Sequence, residues 1–268
     1  MFKFFRKIRN DLMKQNKTSK PALPAGRYFK YAIGEIILVV IGILIALQIN
    51  NWNQNRLERN EEQIILSNLK DDFTSAIEEF KSLNALRNDF ISAAKVIIGI
   101  EVNTIDTYPT IYLDNLFSKT LTTPTFNNES GSLNVLLTSG KINLITNQVL
   151  KKKLIAWPGD VADMTEDEIR HRDIINSEYD SIIRQYLSWN DLIKVWTRQG
   201  VVRFNDLSLK GMPDNPIVQS DYKTILNDKS FLNLLNQRAT LFTITNSETL
   251  DLIKKAEEII DIIEQELK

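Results

Sequence analysis

The chain of 268 residues holds one histidine, His171, and no cysteine. Those two counts remove much chemistry at once. Without thiols there is no thiolate nucleophile, no thiolate metal site and no haem attached through cysteine. A fold exported to an oxidising compartment must then be held by its core alone. Zinc and di-iron centres generally gather several imidazoles, or an imidazole with convergent carboxylates. Glu168-x-x-His171 matches half of the di-iron pattern of helical bundles, and a second Glu-x-x-His cannot exist with one histidine. A Ser-His-Asp triad has no Gly-x-Ser-x-Gly elbow to carry it. No Walker loop and no Gly-x-Gly-x-x-Gly occurs, and nine glycines leave little for phosphate cradles. His171 lies among Glu166, Asp167, Glu168, Arg170 and Arg172, so it is expected on the surface of a charged helical turn. No catalytic residue, cofactor or metal is expected, and the chain reads as a non-enzyme.

Other groups could act by contact. Tyr179, Tyr186, Trp189 and Trp196 fall with Ile175, Ile182 and Ile193 on one helical stripe. Such a stripe is core, or it lines a ligand groove. Lys151, Lys152 and Lys153 read as a solvated face. Gly42-x-x-x-Ala46, with Gly34 eight residues earlier on nearly the same face, is a small-residue pattern. Small residues let helix backbones approach in lipid, so the pattern predicts self-association or a partner helix. Glu35 stands in the same apolar run, where an ionised carboxylate is costly. It either reaches the interface and Lys30, or contacts a partner within the membrane. In the first 14 residues Phe2, Phe5, Ile8 and Leu12 share one side, with Lys3, Arg6, Lys7 and Arg9 largely on the others. That basic stretch lies on anionic lipid, or it only sets topology.

The element that carries Glu35 is a membrane span. Tyr31 to Ile49 contains one side chain charged at neutral pH, Glu35, and as a helix it is roughly 28 Å long, near the thickness of a hydrocarbon core. Ile36 to Leu47 is apolar without interruption and has no wet face. Tyr28, Phe29 and Tyr31 precede it and Trp52 follows, as in an aromatic belt. The long preceding stretch and the exit Ala46-Leu47-Gln48-Ile49-Asn50 do not suit a cleaved signal, so an uncleaved anchor is expected. Residues 1–30 hold nine basic side chains against Asp11 alone, which places the N-terminus inside. The remainder has 24 basic and 33 acidic residues, a net charge of about −9 that does not suit nucleic acid. The expected domains are a cytoplasmic tail (1–30), a transmembrane helix (31–49) and a periplasmic helical domain (50–268).

"FFRKIR", "YAIGEIILVVIGILIALQINNWN", "GSLNVLLTSGKINLI" and "KLIAWPG" resemble an uncharacterised family of bacterial proteins, found mainly in Bacteroidetes and known as a domain of unknown function. The resemblance covers most of the chain. It implies an inner-membrane protein with a periplasmic domain, and it brings no catalytic residues. "TSKPALPAGRYF" departs from it, standing where a shorter linker is expected.

Past the span, Leu66, Leu69, Phe73, Ala76, Phe80, Leu83, Arg87, Phe90, Ala94 and Ile97 step by three and four. That is a heptad seam interrupted by Arg87, within a helix expected to continue from the membrane to Gly99. It forms either the core face of an intramolecular bundle or a free coiled coil. Short helices are expected over Ile111 to Thr120, over Ser132 to Ser139 with Gly140 beyond, and over Asn147 to Trp157, stopped by Pro158-Gly159. A second long helix is expected from Asp160 to Gly200, with Thr165 to Glu168 spaced as a capping box. "VVRFNDLSLKG" suggests a small hairpin, Asn215-Pro216 a helix start, and Lys229 to Lys268 a last helix. In that helix Leu250, Ile253, Ala256, Ile260, Ile263 and Leu267 are the expected core positions. The fold class is therefore all-α: one transmembrane helix continuing into an elongated bundle with short accessory helices.

Two functions suit this plan. The first is a membrane-tethered interaction or scaffold protein that binds another envelope protein or itself. The second is a sensory or small-ligand-binding domain, with Tyr179, Tyr186, Trp189 and Trp196 lining its pocket. The 30-residue tail holds no output domain, so a sensor would signal through a partner.

Overall fold

The computed structural model describes residues 24–127, 131–198 and 218–267. Every regular element among them is helical. Eight α-helices follow in order: α1 (Pro24–Gly99), α2 (Thr110–Lys119), α3 (Gly131–Thr138), α4 (Gln148–Ile174), α5 (Asp180–Tyr186), α6 (Trp189–Arg198), α7 (Tyr222–Ile225) and α8 (Lys229–Glu266). Two 3₁₀ turns, Val102–Thr107 and Lys141–Leu144, and a π turn, Ile175–Tyr179, complete the set. The chain forms two units, one ending at Arg59 and one comprising Asn60–Lys268. The expected hairpin at 201–211 and the helix start at Asn215-Pro216 lie outside the described residues.

In the first unit the helix is apolar and bare. Ile33, Ile36 to Ile41, Ile43 to Ile45, Leu47 and Ile49 are all exposed. The segment is long and apolar enough to cross a membrane.

In the second unit, α1, α4 and α8 make the bundle. All ten seam positions expected on α1 are buried, Arg87 included. They are covered by the chain's own helices, which is the intramolecular alternative. Leu150, Leu154, Trp157, Val161, Met164, Glu168 and His171 form the matching seam of α4, and Ile175 of the π turn extends it. They continue the steps of four and three straight through Pro158.

Pro158 does not stop this helix, contrary to the expected break there. Its ring forfeits one hydrogen bond to Leu154, but Pro158 and Gly159 face solvent while the buried seam holds both sides together. Thr165 to Glu168 is therefore mid-helix and not a capping box. Thr165 bonds back to the Ala162 carbonyl instead. The true start is Asn147, whose side chain accepts from the N–H groups of Val149 and Leu150.

The expected long helix to Gly200 is also corrected. The π turn adds a residue after Ile174, and from Tyr179 the buried positions become Ile183 and Leu187 instead of Ile182 and Tyr186. The helix then breaks at Leu187, in extended conformation, and restarts after Ser188. The Ser188 hydroxyl accepts from the Asp191 N–H at 3.4 Å.

Helix α8 starts at its N-cap Asp228, beside the expected Lys229. Its buried face is Phe231, Leu235, Arg238, Phe242, Thr245, Thr249, Leu252, Ala256, Ile259 and Ile263. Leu250 is exposed and Ile260 half-buried, so the expected register was one position off over part of the helix. Gly140 beyond α3 takes a left-handed conformation, φ 73°, as its expected place past a helix end requires.

Candidate functional site

The bundle has two apolar clusters. One gathers Leu66 to Leu83 of α1, Leu150 to Met164 of α4 and Leu252 to Ile263 of α8. The other gathers Phe90 to Ile97, Ile175 to Leu187 and Phe231 to Phe242 with the short helices. Each long helix passes between them through polar residues. These are Arg87 on α1, Glu168 and His171 on α4, and Thr245 and Thr249 on α8, all buried. Arg238, one turn before Phe242, adds a second buried guanidinium.

Arg87 pairs with Glu168 through Nη2 and Oε1. Its Nη1 donates to Thr249 Oγ1 at 2.9 Å and to Asn84 Oδ1 at 3.1 Å. The other carboxylate oxygen of Glu168 accepts the Phe126 N–H at 2.9 Å. Burial raises the Glu168 carboxyl above its usual range, and the Phe126 N–H and Arg87 hold it back. Burial likewise lowers Arg87, opposed by Glu168. Taking both ions from water is costly, and the added hydrogen bonds make the pair tolerable.

Arg238 has no carboxylate among its hydrogen-bond partners. It donates to the Thr120 carbonyl at 2.6 Å and the Thr122 carbonyl at 3.0 Å. It lies 4.5 Å from the ring centroids of Phe90 and of Tyr179. Two carbonyls and two π faces thus solvate the cation. Burial still lowers it to about 10.

His171 stacks on Phe242 with centroids 3.7 Å apart, and neither ring nitrogen has a hydrogen-bond partner. Burial, then Arg238 and Arg87, lower it to about 3, so the imidazole is neutral. The expectation of a surface histidine is thereby overturned. Charged neighbours in sequence concealed a seam position. Glu168, whose spacing to His171 matches half of a di-iron pattern, is committed to Arg87 and the Phe126 amide.

Of the four aromatic residues offered as a ligand groove, three have described side chains, and their surroundings differ. Tyr179 is fully buried, its hydroxyl donates to Thr120 Oγ1 at 2.6 Å, and burial raises it to about 12. Tyr186 is half-buried against Asp228 at 3.2 Å, and Trp189 is exposed. The side chain of Trp196 lies outside the described residues. Gly34, Glu35, Gly42 and Ala46 sit on the exposed helix of the first unit. A Cβ added at Gly34 or Gly42 would meet nothing within 4 Å. Lys153 reaches Glu258 at 2.6 Å across the bundle surface.

A surface pocket between α4 and α8 is lined by Asp160, Asp163, Glu248 and Asp251 over Met164 and Leu252. Lys255 neutralises Asp160 at 2.8 Å and Lys254 neutralises Asp251 at 3.1 Å. Among the described residues no group of three or more histidines and carboxylates is placed to hold a metal ion. Sequence reasoning missed Arg238, the Glu168 clamp and this pocket. The signal available for the first two was the three-four spacing itself, which holds Arg238 and Glu168 at seam positions.

Residues 35–247 match the model of the family of unknown function DUF6090. No curated protein and no solved structure matches the chain.

Proposed function

We propose a role from one premise: the chain belongs to the DUF6090 family, whose function is unknown. The role is that of a membrane-anchored interaction protein, a helical domain held at a bilayer to bind another envelope protein or a second copy of itself. One observation carries it. The twelve large apolar side chains between Ile33 and Ile49 are 43–63 % exposed, which in water would be an aggregation liability and in lipid is a solvated surface. The family match begins at Glu35 inside this segment and continues to residue 247, so it takes in anchor and domain together.

The buried charges of the domain are engaged with one another, with backbone and with polar side chains, which supports a structural part for them and a binding role for the surface. The basic residues before the span support an N-terminus inside and a periplasmic domain at a bacterial inner membrane. Crosslinking in native membranes, followed by mass spectrometry, tests the reading. A dominant protein partner or a crosslinked homodimer supports it. Recovery of the chain in the soluble fraction overturns it. The absence of any partner, with a thermal shift on adding a small molecule, points to a sensor instead.

A further inference from the structure

Past the apolar run, α1 stays uncovered for several turns. Asn50 to Leu57 are all exposed, whichever side of the helix they occupy. Leu57 is 50 % and Ile64 63 % exposed, and both lie beyond the segment that lipid would cover. Asn50, Asn53, Leu57, Asn60 and Ile64 step by three and four along one side of α1, and all five are exposed. By the turn of the helix that side points away from Leu66, Leu69 and Phe73, which are buried in the bundle.

The charges beside this face fit a second copy of it. In a heptad frame Asn50, Leu57 and Ile64 take the a positions, and Asn53 and Asn60 the d positions. Arg56 then stands at g and Glu61 at e, the positions whose side chains meet across a parallel pair in register. Arg56 of each copy faces Glu61 of the other, twice by symmetry. Glu61 meets Lys141 at 2.6 Å in an exposed pair, so Arg56 of the second copy adds another cation to that carboxylate. Asparagine in the core of a two-stranded contact fixes a parallel register at a cost in strength. A shared bilayer offsets that cost, since anchored copies point one way in one plane and lose less freedom on meeting. Beyond Ile64 the same side reads Asn68, Asp71, Ser75 and Glu78, all exposed. In register, Asp71 and Glu78 would oppose their own copies, and like charges end the contact there.

We propose that the outer face of α1 from Asn50 to Ile64 is a parallel homodimer contact, its occupant the same face of a second copy anchored in the same membrane. This rests on the interaction reading above and names the partner.

The chain has no cysteine, so single introduced cysteines report the contact without competition. Full-length Leu57→Cys and Ile64→Cys chains, oxidised in the membranes of the expressing cells, form disulfide-linked dimers. Asn55→Cys, on the far side of the helix, does not, because a disulfide needs Cα atoms within about 7 Å. Arg56→Glu lowers the yield of the Ile64→Cys dimer roughly fivefold, and adding Glu61→Arg restores it. Circular dichroism confirms that the bundle is intact in each variant. No dimer at Leu57→Cys and Ile64→Cys, an equal yield at Asn55→Cys, or a yield that the charge exchange leaves unmoved overturns the proposal. A different protein captured by lysine crosslinking in the same membranes, with no dimer at either position, removes the homodimer and leaves the interaction reading standing.

Discussion

Replacing either member of the Arg87–Glu168 pair and then both gives a sharp test of the polar layer. Arg87 is 0 % and Glu168 4 % exposed, so neither charge can turn to solvent when its partner is lost. Arg87→Leu leaves a buried carboxylate holding only the Phe126 N–H, and we expect a loss of about 3–5 kcal/mol. Glu168→Leu strands the guanidinium on Thr249 and Asn84 and also frees the Phe126 amide, adding about 1–3 kcal/mol to a similar loss. The double variant, leucine at both positions, extends the apolar seam across the gap. Its remaining defect is the Phe126 amide, about 1–3 kcal/mol, far less than the summed single losses. Urea unfolding of the full chain in detergent, followed by helical circular dichroism, measures the cycle. Single losses under about 1 kcal/mol, or a double loss equal to the sum, would show that the pair is not the buried, mutually dependent unit described above.

Other perturbations have equally definite outcomes. Unfolded histidine takes up a proton near pH 6.5 whereas folded His171 resists until about 3, so its contribution is full above pH 6.5 and is lost as pH falls. Thermal or urea melts should lose about 2 kcal/mol between pH 7 and pH 5, and His171→Phe should remove that loss. Glu168, raised by burial, works in the opposite sense and remains in the variant as an internal control. Pro158→Ala should stabilise α4 by about 1–3 kcal/mol in the same urea assay, because it restores the bond to Leu154 on an exposed face. Gly42→Leu should weaken self-association in a membrane two-hybrid assay, and an unchanged signal removes that idea. A C-terminal tag should be reached by protease only after the outer membrane is opened, and a tag cut only from the cytosolic side refutes the orientation.

The α1 seam was legible because nine of its ten positions are apolar and no breaker interrupts it. Helix α8 repeats at the same spacing, but Arg238, Thr245 and Thr249 occupy its middle and Leu250 offers a false apolar position. A reading by hydrophobicity therefore slips at Leu250, beside the polar layer, and again at Ile260, where Ile259 is the buried neighbour. Pro158-Gly159 hid the continuity of α4, since local propensity argues for a stop while long-range packing on both sides overrides it. The burial of His171 was unreadable from its neighbours: Glu166, Arg170 and Arg172 beside it are exposed while it faces in. The break before α6 did leave a trace. Ser188-Trp-Asn-Asp191 has the spacing of a helix start, within a stripe that otherwise continues.

Three helices with uniform greasy repeats could slide past one another by seven residues and still bury their stripes. One charged rung forbids it. Shifted by one repeat, Arg87 would face Phe242 or Ala256 in the place of Thr249, and its guanidinium would be stranded in hydrocarbon. Ionic side chains in mid-bundle thus act as an index mark that selects a single alignment among near-equivalent ones, at some expense in strength.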